Sequence, residues 1–280
     1  MVLVLLCACA TVTYLRDFRG IGIHVAASLG HSDLGIPRQA RNDEIEQYIA
    51  QPSPFAAYSF FIPSNAKYYE YFYSNRPYLA AETIVWKVNA HLHRAFYTNI
   101  QVNTDTNPLL VNPFYRLPPG FTPYPLVPVN SDTCNLLATP ATVAAFYALR
   151  ESARENGMYL YVVSAFRTAE HQARLFAAHT SPDGVVARPY HSEHQTGRAL
   201  DLGGAGGLLD RFSPSATGIW VGQNAHLYGF IVRYGADITH ITGFIHEPWH
   251  ITYVGVPIAT YMYENGIVSL EEFVGRYPNL

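Results

Sequence analysis

The 280-residue sequence predicts an α+β fold: a mainly antiparallel central sheet with flanking helices, preceded by an aromatic-rich N-terminal extension. Three observations predict it. Helix-like and strand-like segments follow one another without the regular βαβ alternation of a parallel sheet. Hydrophobic residues make up 49% of the chain and charged residues 14%, the balance of a globular protein with a sizeable core. A turn-rich stretch at 103–108 and a run with prolines at 113, 118, 119, 123, 125 and 128 mark a shift in composition. These features predict an apolar segment over 1–13, an extension over 14–105 and a compact domain over 106–280.

The elements follow in order. Met1 to Val12 is apolar apart from Thr11, too short to span a bilayer, which needs about 20 residues. It reads as the core of a secretion signal, with a buried N-terminal strand as the alternative. Ala8-Cys9-Ala10 has the small-x-small form of a cleavage site, and Leu6-Cys7-Ala8-Cys9 resembles an acylation box that would anchor Cys9 in a membrane. Asn42 to Ala50 suits a short capped helix. Tyr58 to Tyr73 gathers eight aromatic rings, read as packing between segments rather than a carbohydrate platform. Leu79 to His93 reads as a helix with Ile84, Val85, Val88 and Leu92 on one face, and His91 and His93 near its end are not read as ligands. The proline-rich run lacks the N–H groups for a helix or a sheet centre and should wrap extended over the next domain. Thr139-Pro140 opens a helix to about Asn156. Tyr159–Phe166, Ala199–Leu202, Phe230–Tyr234 and His250–Val254 read as strands. Helices are expected from Thr168, over Ile219–Tyr228 and over Ser269–Arg276.

Charge and cysteine usage exclude some functions. A net charge of −3 with no basic run gives no reason to expect nucleic acid. Three cysteines cannot build a disulfide framework, and Cys134 reads as a small buried hydrophobe.

The chemistry gathers in Ser192 to Asp201 and two outlying pieces, Ser164 to Thr168 and Glu247 to His250. A catalytic zinc site needs three N or O ligands and an open position. His194 and Asp201 can flank a turn made at Gly197, and His250 on a later strand can supply the third ligand. Glu247 is then placed to act as general base. A competing H-e-x-x-H reading would use His246 and His250 from one helical turn. Pro248 and the β-branched residues around it oppose that helix. Arg167, at a strand end, can anchor a carboxylate or a developing oxyanion. Ser192 is a candidate substrate contact and His191 a cleft-edge residue. Glu193 is not read as the base.

Ser-x-Phe-Arg-Thr (164–168), Ser-Glu-His-Gln-Thr-Gly-Arg-Ala-x-Asp-Leu (192–202) and Glu-Pro-Trp-His (247–250) together resemble the signature motifs of VanY-type zinc D-alanyl-D-alanine carboxypeptidases of the LAS peptidase group. Tyr228 to Tyr234 and the run over 110–123 are similar too, so the likeness covers roughly 105–256. The resemblance implies an LAS/Hedgehog-type peptidase fold. It implies Zn2+ held by His194, Asp201 and His250, with Glu247 as base. Arg167 would act beside the scissile bond, and Ser192 and Gln172 would touch substrate. The implied substrate is a peptidoglycan stem peptide ending in D-Ala-D-Ala, outside the cell or in its envelope. The implied alternatives are L,D-carboxypeptidase, D,D-dipeptidase or endopeptidase cuts by the same site; a wall-binding module with a vestigial metal site is a rival of another class. Tyr190-His191 departs from the family pattern, which has a glycine-containing turn there.

Overall fold

In the computed structural model, backbone strands are described at 4–7, 10–16 and 23–27, and the chain is described in full over 53–92, 100–129, 136–179, 184–205, 207 and 211–278. The helix expected over 42–50, His93, Cys9 and Cys134 lie outside the described residues. The chain divides into two compact units, Met1–Pro52 and Ser53–Leu280. In the first, β1 (Val4–Cys7), β2 (Ala10–Arg16) and β3 (Ile23–Ala27) form an antiparallel three-stranded sheet.

The second unit begins with α1 (Ala66–Asn75) and α2 (Ala81–Asn89). Short strands β4 (Ile100–Gln101), β5 (Tyr115–Arg116), β6 (Val127–Pro128) and β7 (Leu137–Ala138) carry the proline-rich run. Next come α3 (Pro140–Glu155), β8 (Leu160–Ser164), α4 (Ala169–Ala178), β9 (Ala199–Gly204) and α5 (Ala216–Asn224). The chain closes with β10 (Phe230–Tyr234), α6 (Thr239–Thr242), β11 (Glu247–Tyr253), α7 (Val256–Glu264) and α8 (Leu270–Arg276). The sheet order is β10-β11-β9-β8, every pair antiparallel, as the α+β reading expects.

Strand periodicity separates the core from the site. Successive side chains point to opposite faces, so Leu200 and Leu202 enter the core while Asp201 between them does not. Phe146, Leu149 and Ala153 of α3 pack into that core with Leu160, Val162, Phe230 and Ile251. Burying each of the larger side chains contributes about 1.5–3 kcal/mol. Pro140 in the first turn of α3 and the Thr168 hydroxyl, which accepts the His171 N–H at 3.2 Å to cap α4, start the helices where the sequence expects. The last helix likewise has its Ser269 cap, but α6 and α7 were not anticipated.

The boundary expected at residue 105 is corrected by the packing. Residues 53–92 share a unit with the sheet because α2 docks on α8. The Asn89 amide donates to Gly275 O at 2.9 Å, and Glu82 pairs with Arg276. Trp86 clusters with Ile238 and Ile241. The aromatic stretch also serves packing: Tyr69 and Phe72 join Phe55, Ile84, Val85 and Val88 in one buried cluster, although Tyr68, Tyr71 and Tyr73 are exposed. At Gly275 the docking is close enough that an added Cβ would lie 2.4 Å from Trp86 O. Gly275→Ala is therefore expected to destabilise the protein by about 1–3 kcal/mol. A thermal melt unchanged from wild type would refute this account of the docking.

Candidate metal centre

Three neighbouring strands deliver the site. The β8–β9 ladder pairs Ser164 with Asp201, and the β9–β11 ladder pairs Asp201 with His250. His194 arrives from a 3-10 turn, Glu193–Thr196, just before β9. Gly197 ends that turn in the left-handed conformation, φ 67°. An added Cβ there would sit 3.0 Å from Leu126 and 3.3 Å from Pro123, both in the proline-rich wrap. The first motif is tied to the second: Arg167 N–H donates to His194 O at 3.2 Å, and His194 Nδ1 lies 2.7 Å from Ala165 O. A carbonyl can only accept, so Nδ1 carries the proton and His194 Nε2 keeps a free lone pair.

Glu247 and His250 would point to opposite faces of a regular strand. The ladder is irregular between them. Val232 faces Ile251 and Tyr234 faces Glu247, so Arg233 alone opposes Pro248, Trp249 and His250. This bulge admits a proline within a strand. It brings the Glu247 carboxylate within 3.7 Å of His250 Nδ1. The same extended backbone removes the helical pairing of His246 with His250, and His246 is exposed.

His194 Nε2 and His250 Nδ1 approach Asp201 Oδ2 and Oδ1 at 3.2 and 3.1 Å. One donor atom from each of these three residues lies within 4.8 Å of the other two. Asp201 Oδ1 is buried and has no hydrogen-bond partner among the described residues. Two imidazoles, one carboxylate and an unsatisfied buried oxygen fit a divalent ion with zinc's ligand preferences.

Burial and neighbouring charge set the protonation states. Burial lowers the His194 pKa, favouring the neutral imidazole a ligand must be. Burial would raise Asp201, but His194 and His250 hold it well below the usual range. Burial opposes charge on His250 too, yet the Asp201 and Glu193 carboxylates outweigh it and push the pKa up to about 9. Burial pushes Glu247 up to about 7, with Asp201 and Glu193 adding to the effect and His250 and Arg167 opposing it.

The other sequence candidates fall into place unevenly. Arg167 reaches the site, where Nη2 donates to Asp201 Oδ2 at 2.9 Å and to Ser164 Oγ at 2.8 Å. Its guanidinium is thus engaged with an acidic site residue, a contact the sequence did not suggest. Ser192 is buried at the start of the 3-10 turn. Gln172, on α4, is buried; its Nε2 donates to Ala187 O at 2.7 Å, while Oε1 has no partner among the described residues. His191, expected at a cleft edge, is buried against Asn112 O at 2.8 Å, though it also lines a small pocket with Phe176, Arg188 and Phe244. Tyr190 adopts φ 68°, a conformation natural to glycine, and its N–H donates to Gln195 Oε1 at 2.6 Å. The departure from the family pattern therefore retains a glycine-like turn without the glycine.

Glu193, which the sequence reading sets aside as the base without giving it another role, has a defined place in the structure. Its carboxylate is buried, accepts from Arg233 Nε at 2.6 Å and from the Thr252 hydroxyl, and faces His250 Nε2. Burial would raise its pKa, but Arg233 and His250 hold it down to about 2. Its place beside a ligand was the available signal; Arg233, 40 residues away, gave none.

Comparison with known proteins adds to this geometry. Residues 135–256 match the family model described as VanY, D-alanyl-D-alanine carboxypeptidase. The chain is 33% identical over 186 residues to the putative carboxypeptidase YodJ of Bacillus subtilis, covering 61% of this chain and 68% of that one. It is 36% identical over 141 residues to a D-alanyl-D-alanine carboxypeptidase of Enterococcus faecalis, covering 45% of this chain but only 51% of that relative. Among solved structures, the LdcB LD-carboxypeptidase matches with a TM-score of 0.55 and 33% identity, over 60% of this chain and 85% of that one. A VanY D,D-pentapeptidase solved with Zn(II) matches with a TM-score of 0.51 and 31% identity, over 59% of this chain and 97% of that one.

Two outcomes are expected here. Gly197→Ala forces a left-handed alanine against Leu126 and Pro123, costing about 1–2 kcal/mol or more in stability, read by thermal or urea melts. Zinc loading at pH 7 should release protons, since the metal-free His250 pKa of about 9 keeps its ring protonated there. The raised His250 pKa stabilises the metal-free fold fully below pH 6.5 and loses that contribution as pH rises through about 9. Apparent zinc affinity should therefore climb over this window. Calorimetry in buffers of different ionisation enthalpy counts the protons, and buffer-independent heats would contradict the assignment.

Proposed function

We propose that this chain, which belongs to the VanY family of D-alanyl-D-alanine carboxypeptidases, removes the terminal D-alanine from peptidoglycan stem peptides as a zinc enzyme. The convergence of His194, Asp201 and His250 beside the Glu247 carboxylate carries this reading. Those three residues would hold the zinc, which when bound polarises the scissile carbonyl and lowers the pKa of its water toward neutrality.

The remaining work falls to this chain's own groups. Glu247, with a pKa of about 7, is poised to accept a proton from the attacking water and return it to the leaving amine. Arg167 supplies fixed positive charge next to Asp201, where charge develops as the carbonyl carbon becomes tetrahedral. Gln172 and Ser192 are the proposed polar contacts to the peptide. An L,D-carboxypeptidase acting on tetrapeptides is the second reading, favoured by the likeness to the LdcB LD-carboxypeptidase.

The proposed place of action is outside the cytoplasmic membrane. A peptidoglycan substrate supports this, and acylation of Cys9 would add an anchor; the apolar run itself pairs as β1 with β2, the strand alternative to a signal core. Among the described residues no helix is long and apolar enough to cross a membrane.

The deciding experiment incubates zinc-loaded protein with pentapeptide and tetrapeptide stems, with and without chelator, and reads product masses. Loss of one D-alanine from the pentapeptide only, abolished by chelator, is the expected result. Cleavage of the tetrapeptide alone would select the second reading, and no product from either would defeat both. Glu247→Ala should retain zinc yet lose about 100- to 10,000-fold in turnover; full activity would remove Glu247 from the mechanism.

A further inference from the structure

We propose that Glu193 is a positioning residue for the metal centre: clamped by Arg233, it fixes the His250 ring with its proton on Nε2 and its Nδ1 turned toward Asp201 and His194. The inference rests on reading His194, Asp201 and His250 as zinc ligands, and extends it one layer outward.

The His250 ring sits between two others, 4.9 Å from His194 and 4.8 Å from Tyr234. Ring packing alone does not choose which nitrogen faces the site. Nδ1 lies 3.1 Å from Asp201 Oδ1, on the side where the other donors gather. Nε2 is buried on the far side and has no hydrogen-bond partner among the described residues. What it faces is Glu193 Oε2, at 3.6 Å. That separation is slightly long for a hydrogen bond but strongly favours N–H over a lone pair at Nε2. For His194 the corresponding role falls to a backbone carbonyl, Ala165 O. With zinc bound, the two ligands would thus take opposite tautomers, each set by the acceptor behind the ring.

Glu193 does not hold this position unaided. Arg233 is wholly buried, with Nε on Glu193 Oε1 at 2.6 Å and its other two nitrogens on Glu271 at 3.0 and 2.7 Å. Glu271 belongs to α8, and its Oε1 also accepts from the Asn112 amide at 3.0 Å. Thr252, two residues after His250, donates its hydroxyl to Glu193 Oε2. Two carboxylates around one guanidinium leave an excess of negative charge, and His250 Nε2 is the N–H group that faces it from the metal side. A clamp for α8 alone would not require a carboxylate oxygen of Glu193 turned toward the buried Nε2 of His250.

The test measures zinc affinity by competition with a chromophoric chelator, alongside thermal melts, for wild type and Glu193→Gln. Glutamine preserves the size and can still accept from Arg233, but it removes the charge behind His250. A 10- to 100-fold weaker zinc affinity in a folded variant is expected. Affinity within twofold of wild type, whatever the melting temperature, would overturn the proposal and leave Glu193 a structural residue. If the variant does not fold, nitrogen-15 NMR of the zinc-loaded wild type decides. A His250 proton on Nε2 supports the positioning role, and one on Nδ1 overturns it. A wild-type protein that binds no zinc would fail the ligand reading itself, a result distinct from equal binding by both proteins.

Discussion

The pairing of Asp201 with His250 across β9 and β11 is the constraint on which the site depends. Directly opposed residues on adjacent antiparallel strands have Cα atoms about 4.5–5.5 Å apart. A carboxylate and an imidazole on the same face of that pair must therefore meet. Backbone hydrogen bonds, anchored by Leu200, Leu202 and Ile251 in the core behind, hold them there. His194 needs only the short turn ending at Gly197 to join them. Arg167 and Ser164 follow from the same ladder on the other side of β9. The proposed metal ligands are thus arranged largely by sheet register.

Such gathering places like charges close together. Asp201, Glu193 and Glu247 all lie within 4 Å of His250 nitrogens, and the protein offsets their repulsion in three ways. Arg167 pairs with Asp201 and Arg233 with Glu193, while Glu247 is left to burial and rises toward neutrality. An arginine removed from water on the Glu193 side is costly unless fully paired. Glu271 and Glu193 together supply that pairing, which ties the last helix to the centre of the sheet.

The first layer of the site was legible because local chemistry marks it. Gly197 signals a reversal, Pro248 forbids the helical zincin arrangement, and the alternation around Asp201 shows which side chain leaves the core. Most strands and the capped helices could be read for similar reasons. The second layer was not legible, since Arg233, Glu271 and Asn112 meet Glu193 only through folding and no short-range spacing links them. The helix at Val256–Glu264 carried a proline in its first turn as a signal that was passed over. The membership of residues 53–92 in the second unit was not legible for a different reason: it rests on long-range contacts of Trp86 and Asn89 with Ile238, Ile241 and Gly275, which no local pattern marks. The proline-rich run does wrap over the core as expected, with Leu109, Leu110, Val111 and Leu117 within or beside it buried.

Glu193 and Glu247 show how one residue type takes two roles within a single site. Both are largely buried and both approach the same imidazole, on its two different nitrogens. Arg233 and Thr252 satisfy Glu193 and hold its pKa near 2, so it is a fixed charge that neither gives nor takes a proton at neutral pH. Glu247 has no such arginine partner among the described residues: Arg167 spends its closest contacts on Asp201 and Ser164, and burial leaves the Glu247 pKa near 7. A group can shuttle protons only if both of its states are accessible at the working pH. In the proposed mechanism the placement of two arginines therefore decides which glutamate orients the histidine and which one is free to act as base.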